Sequence, residues 1–150
     1  MSPAPEPPDT LTARAELAES KAHAGDFRGA VTEFRALVKE RTAAAGPDDL
    51  QTLSARLNLA RVLGTAKQFS KAIGVCEPLL RDQVRVLGTE HADTLETRQL
   101  LANLRYQTGD AEGAAEELER LLAALSHLFL PTHDRITKVQ RDIAFLKRSS

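Results

Sequence analysis

Cys76 and four histidines, His23, His91, His127 and His133, are the side chains of this 150-residue chain best suited to be nucleophile, general base or metal ligand. A thiolate needs cations or a helix N-terminus beside it, whereas Cys76 takes a position that 42 residues earlier holds Phe34 and 42 later Leu118. It reads as a small buried hydrophobe. His91 lies beside Glu90 and Asp93, a set with the right atoms for a metal, but in a turn segment. His127 and His133 are separated by Pro131, which argues against one shared helical face. No Cys-x-x-Cys, His-Glu-x-x-His, P-loop or Gly-x-Gly-x-x-Gly spacing occurs. The expectation is no enzyme, no cofactor and no metal. A hidden activity would have to rest on His23 or His133.

A second set of polar residues recurs instead of clustering. Arg14, Arg56 and Arg98 stand 42 residues apart, and the offset also superimposes Thr10-Leu11, Thr52-Leu53 and Thr94-Leu95. Leu17-Ala18, Leu59-Ala60 and Leu101-Ala102 coincide, as do Ala30, Ala72 and Ala114, and Leu37, Leu79 and Leu121. Self-similarity at one fixed period is the signature of a stacked repeat array, an architecture that recognises rather than catalyses. A group found once per repeat belongs to the repeat's architecture. The three arginines are therefore expected to tie each unit to a neighbouring acidic group or helix end.

Each repeat reads as two helices. In the first, Leu11, Leu17-Ala18 and Ala22 form one apolar stripe, Gly25 closes the helix, and Asp26 caps a second helix. The face of that helix is Phe27, Ala30, Val31, Phe34, Leu37 and Val38, spaced by three or four. The alanines allow close helix crossing while Leu17, Leu59 and Leu101, with the leucines at 37, 79 and 121, fill the flanks. Gly46-Pro47 and Gly88 stop helices between repeats, Asp93 with Glu96 reads as a capping box, and Ala4–Asp9 reads as the lead-in to the first hairpin. Pro78 falls inside a helix and is expected to kink it locally. The resulting reading is one domain over 1–150, with repeats at about 4–45, 46–87 and 88–129 and a last helix at about 134–148.

Composition agrees. Apolar residues make up 42%, enough for a core, while aromatics are only 4% and Trp is absent, so the core must be Leu and Ala in helices. Twenty Lys and Arg against twenty-one Asp and Glu leave no field to hold a nucleic acid or an anionic membrane. One cysteine, no secretory-type N-terminus and no apolar run near ~20 residues point to a cytoplasmic protein. Rich use of Ala and Arg fits a high-GC bacterial source.

These residues resemble a tetratricopeptide repeat (TPR) array. That family places Leu before Gly or Ala, then Ala and a large apolar residue four positions later. Leu17-Ala18 with Ala30 and Phe34, Leu59-Ala60 with Ala72 and Cys76, and Leu101-Ala102 with Ala114 and Leu118 fit that pattern. The period exceeds the family's usual ~34 residues by about two helical turns. The longer unit, with Gly88-Thr89-Glu90-His91-Ala92-Asp93-Thr94-Leu95, is similar to the kinesin-light-chain type, also found in bacterial regulators beside kinase or nucleotide-binding domains. Arginine at 14, 56 and 98 departs from the family's frequent Trp, and the Asn-Asn-Leu-Ala of kinesin-like units survives only as Leu57-Asn58-Leu59-Ala60. The resemblance implies an all-α, right-handed α-α superhelix (a TPR solenoid) of three helical hairpins plus a C-terminal helix.

It also implies a concave groove, lined by the first helix of each hairpin, that holds a peptide or helix of a partner protein. Carried over, the groove positions are Glu16, Glu19 and His23, then Asn58, Arg61 and Thr65, then Gln99, Asn103 and Gln107. Asn and Gln amides both give and accept hydrogen bonds with peptide backbone, and Arg61 suits a carboxylate. The last helix repeats Ile136, Val139, Ile143 and Leu146 at spacings of three and four, with Phe145 and Leu128-Phe129-Leu130 nearby. Ile136, Val139, Ile143, Leu146 and Phe129 are the candidate oligomer patch if this end is uncovered. The alternatives to groove recognition are therefore a homodimer scaffold and a regulatory segment of a larger signalling protein. The acidic stretch Asp110–Glu119 and the basic residues Arg135, Lys138, Arg141, Lys147 and Arg148 are expected to match each other internally.

Overall fold

A computed structural model describes residues 8–149. Its helices are α1 (Pro8–His23), α2 (Phe27–Ala45), α3 (Leu50–Thr65), α4 (Phe69–Leu87), α5 (Ala92–Gln107), α6 (Ala111–Leu128) and α7 (Asp134–Ser149), and no strand occurs among the described residues. The chain divides into two compact units, Met1–Gln68 with α1 to α3 and Phe69–Ser150 with α4 to α7. In the first, α1 packs on α2 and α2 on α3; in the second, α4 packs on α5, α5 on α6 and α6 on α7. Ala4 to Pro7 of the expected lead-in lie outside the described residues. Pro8 and Asp9 are already helical, because proline is tolerated in a first turn whose N–H groups have no intrahelical partner.

The 42-residue register survives in three dimensions. Ala18, Ala60 and Ala102 are buried, as are Ala30, Ala72 and Ala114, and Leu37, Leu79 and Leu121 have no exposure. Leu59 and Leu101 are buried too, but Leu17 is 55% exposed. The expectation fails at that one position of the register.

The caps follow the same register. The Asp26 carboxylate accepts the Gly29 N–H at 2.9 Å and that of Asp110 the Gly113 N–H at 2.8 Å. A Cβ on either glycine would lie 2.3 or 2.2 Å from a carboxylate oxygen of its cap. In the middle copy both partners change together, to Gln68 and Lys71. Between repeats, Asp49 caps α3 by accepting the Gln51 N–H at 3.0 Å. The expected capping box is displaced: α5 starts at Ala92, and its cap is His91, whose Nδ1 accepts the Asp93 N–H at 3.0 Å. His133 does the same for the Arg135 N–H at 3.1 Å. Position 49, 91 or 133 is thus one structural site, filled by whichever short acceptor is present.

Glycines at 25 and 109 take φ of 90° and 86°, and the residue between them in register, Lys67, is forced to φ 63°. α4 continues through Pro78 without a break in its helical backbone.

Candidate protein-binding surface

In the first unit, Glu19 and His23 project from α1 and Asn58, Arg61 and Thr65 from α3 into one open cleft of ≈ 370 Å³. Its apolar part comes from Ala22, Phe27, Phe34 and Val62. Arg61 donates to the Asn58 side-chain oxygen at 2.7 Å, and the Thr65 hydroxyl donates to the Arg61 carbonyl at 2.9 Å. Five of the six sequence-selected residues of this unit therefore share one hollow, with a carboxylate, a guanidinium, an imidazole and an amide around an aromatic floor. Glu16 is exposed about two turns before His23 and does not line that cleft.

In the second unit, Gln99 donates to the Asn103 side-chain oxygen at 3.1 Å. Asn103 lines a smaller cleft of ≈ 200 Å³ with Ala102, Tyr106, Leu118, Asp142, Phe145 and Leu146. Gln107 is exposed outside it. Tyr106 and Phe145 meet edge to face, centroids 6.3 Å apart, and each is about half exposed. Tyr106 is absent from the sequence-derived set, although it follows Asn103 by three residues and so shares its side of α5.

The candidate oligomer patch faces inward. Ile136, Val139 and Leu146 are buried in the core of the second unit with Leu118, Leu121 and Leu125, and Ile143 and Phe129 pack on it half-buried. Phe129 also stacks on His133 at 4.1 Å. An amphipathic helix buries its apolar stripe first, so the apolar groups left exposed here are Leu128, Leu130 and Phe145.

The repeated arginines at 14 and 98 are tied to acids. Arg98 donates to Glu117 at 3.1 Å, and Arg14 reaches Glu40 at 2.5 Å and Glu33 at 3.9 Å. Lys147 meets Glu119 at 2.6 Å, one ion pair of the expected match between acidic α6 and basic α7. Cys76 has no exposure, and burial, aided by the neighbouring Glu77 charge, pushes its thiol up to about 12. His91 and His133 act as caps, and His127 lies 2.7 Å from Glu90. Among the described residues no group of three His, Cys, Asp or Glu could hold a metal, and no helix is long and apolar enough to cross a membrane.

Residues 52–93 match the model of the family described as tetratricopeptide repeat. No curated protein matches the chain. A crystal structure of a Podosopora anserina putative kinesin light chain with nearly identical TPR-like repeats is similar, at TM-score 0.81 and 23% identity over 94% of this chain and 67% of that one. A single-substitution form of the same protein matches equally, over 66% of its length. BtubC (BKLC) from P. vanneervenii also has a TM-score of 0.81, at 18% identity over 93% of this chain and 56% of that one. The chain thus spans between roughly half and two thirds of the solved chains it matches. Residues 52–93 are thus similar to a tetratricopeptide repeat, and the chain has the fold of the solved kinesin-light-chain-type TPR arrays.

Proposed function

We propose that this chain is a non-catalytic, cytoplasmic protein-binding module that takes a peptide or helix of a partner in its groove. Tetratricopeptide repeats are interaction modules, and the observation supporting this use is the first unit's cleft. Glu19, His23, Asn58, Arg61 and Thr65 surround one hollow floored by Phe27 and Phe34. A peptide there would bury an apolar side chain on the phenylalanines while its backbone and charges meet the polar rim. Gln99, Asn103 and Gln107 form a polar set of their own in the second unit. The test is affinity capture from lysate with the native chain and an Asn58→Ala/Arg61→Ala/Asn103→Ala variant of verified helicity. A protein retained by the native chain alone supports the groove; equal retention by both removes it.

A self-association reading rests on exposed Leu128, Leu130 and Phe145 rather than on the inward Ile143 stripe. Light scattering of a Leu130→Glu/Phe145→Glu variant against the native chain decides it. A native dimer that becomes monomeric supports it.

A further inference from the structure

The largest of the clefts described is in the second unit, on a side of α5 remote from Asn103. It measures ≈ 470 Å³, and α4, α5 and α6 supply Arg81, Arg98, Arg105 and Arg120 to its lining against only Glu77 and Glu117. On α5, Arg98, Leu101 and Arg105 fall at intervals of three and four, whereas Gln99, Asn103 and Tyr106 follow the opposite side of the helix.

The charges there do not balance. Glu117 is shared by Arg98 at 3.1 Å and Arg120 at 2.9 Å. Arg105 meets Glu77 at 2.9 Å and Asp110 at 3.4 Å, yet its Nε is a buried donor with no hydrogen-bond partner. Arg81 is exposed and has no ion-pair partner among the described residues. Four guanidinium groups thus face three carboxylates, counting Asp110 with the two in the lining. Arg98 is 8% exposed and is held by its ion pair with Glu117. Planar guanidinium groups suit carboxylate oxygens two at a time, and positioning them in advance lowers the ordering cost of a ligand.

The wall between the cations is apolar, made by Leu80, Val84 and Leu101. A bare phosphate would leave that wall unused. We propose that this cleft is a second recognition site, independent of the groove, for an acidic peptide segment whose carboxylates flank an aliphatic side chain.

The experiment is fluorescence anisotropy of the full chain with a fluorescein-labelled hexapeptide alternating Glu and Leu, at low and physiological salt. Saturable binding is expected, weakened by salt and by about tenfold or more in Arg81→Gln/Arg120→Gln, which keeps the aliphatic stems of two exposed residues. Arg61→Ala, in the first unit's cleft, should bind the peptide like the native chain, so the groove reading and this one fail separately. A second pair, Arg81→Lys/Arg120→Lys, keeps the charge and should recover only part of the loss if paired guanidinium geometry matters. No saturable binding by the native chain, or equal binding by the glutamine variant, overturns the proposal. So does a peptide with Ser for Leu that binds as well and is displaced by millimolar inorganic phosphate, which would make the site one for bare anions.

Discussion

Arg98 and Glu117 form a buried ion pair at 3.1 Å, their side chains 10% and 7% exposed, and the same pair recurs two periods earlier as Arg14 and Glu33 at 3.9 Å. In the middle copy Arg56 keeps its place while Val75 stands where the carboxylate would be. The arginine register therefore belongs to the packing of the repeat, as its recurrence suggests, and in the first and third copies its partner is a residue of the second helix.

Removing one member of a buried pair strands the other charge. Glu117→Leu should destabilise the chain by about 3 kcal/mol, while Arg98→Met with Glu117→Leu should regain most of that. Urea denaturation of Glu117→Leu, Arg98→Met and the double variant checks it. A double variant as unstable as the sum of the singles would show that the two sites contribute separately.

The same substitution should act oppositely at two glycines. At Gly74, on an exposed part of α4, an added Cβ meets nothing within 4 Å, so Gly74→Ala should stabilise by about 0.5–1 kcal/mol. At Gly29 the Cβ would collide with the Asp26 carboxylate, so Gly29→Ala should lose the cap, worth about 1 kcal/mol, and show no net gain. Thermal melts of the two variants side by side decide this.

Lys67 holds a left-handed φ of 63° where the other copies have Gly25 and Gly109. Lys67→Gly should relieve about 1 kcal/mol of backbone strain, offset in part by the greater freedom of glycine in the unfolded chain. A lowered melting temperature would show that the lysine side chain contributes more than its backbone costs.

For Cys76 the folded value of about 12 lies above the ordinary 9.0, so the native state holds the proton more tightly than the unfolded chain. Its contribution to stability is complete below pH 9.0 and is lost progressively as pH rises toward about 12. Iodoacetamide at about pH 8, close to the ordinary thiol range, should therefore label the native protein far more slowly than the urea-unfolded one. Equal rates would contradict burial at this position.

Most of the helices are legible because one period repeats: alanines at 18, 60 and 102 and leucines at 37, 79 and 121 mark the crossings without any structure. The resemblance to TPR arrays, rather than the period, points to Asn58, Arg61 and Thr65, which line the first unit's cleft from one side of α3. What escapes depends on neighbours in space. Leu17 is exposed although it shares the register of buried Leu59 and Leu101, and the stripe through Ile143 turns inward because α6 covers it. The arginine cleft joins residues from three helices at spacings that no single-helix pattern contains. His91 reads as a turn residue in the sequence, whereas only the backbone shows it holding the start of α5.

The edge-to-face contact of Tyr106 with Phe145 gives the molecule an optical label of its own. With no tryptophan and a single tyrosine, its near-ultraviolet emission comes from one phenol, seated where α5 meets the last helix. Quenching or polarisation of that signal reports on this one junction and nothing else in the chain. Titration of any ligand into the unlabelled protein can thus distinguish occupancy beside Asn103 from occupancy elsewhere.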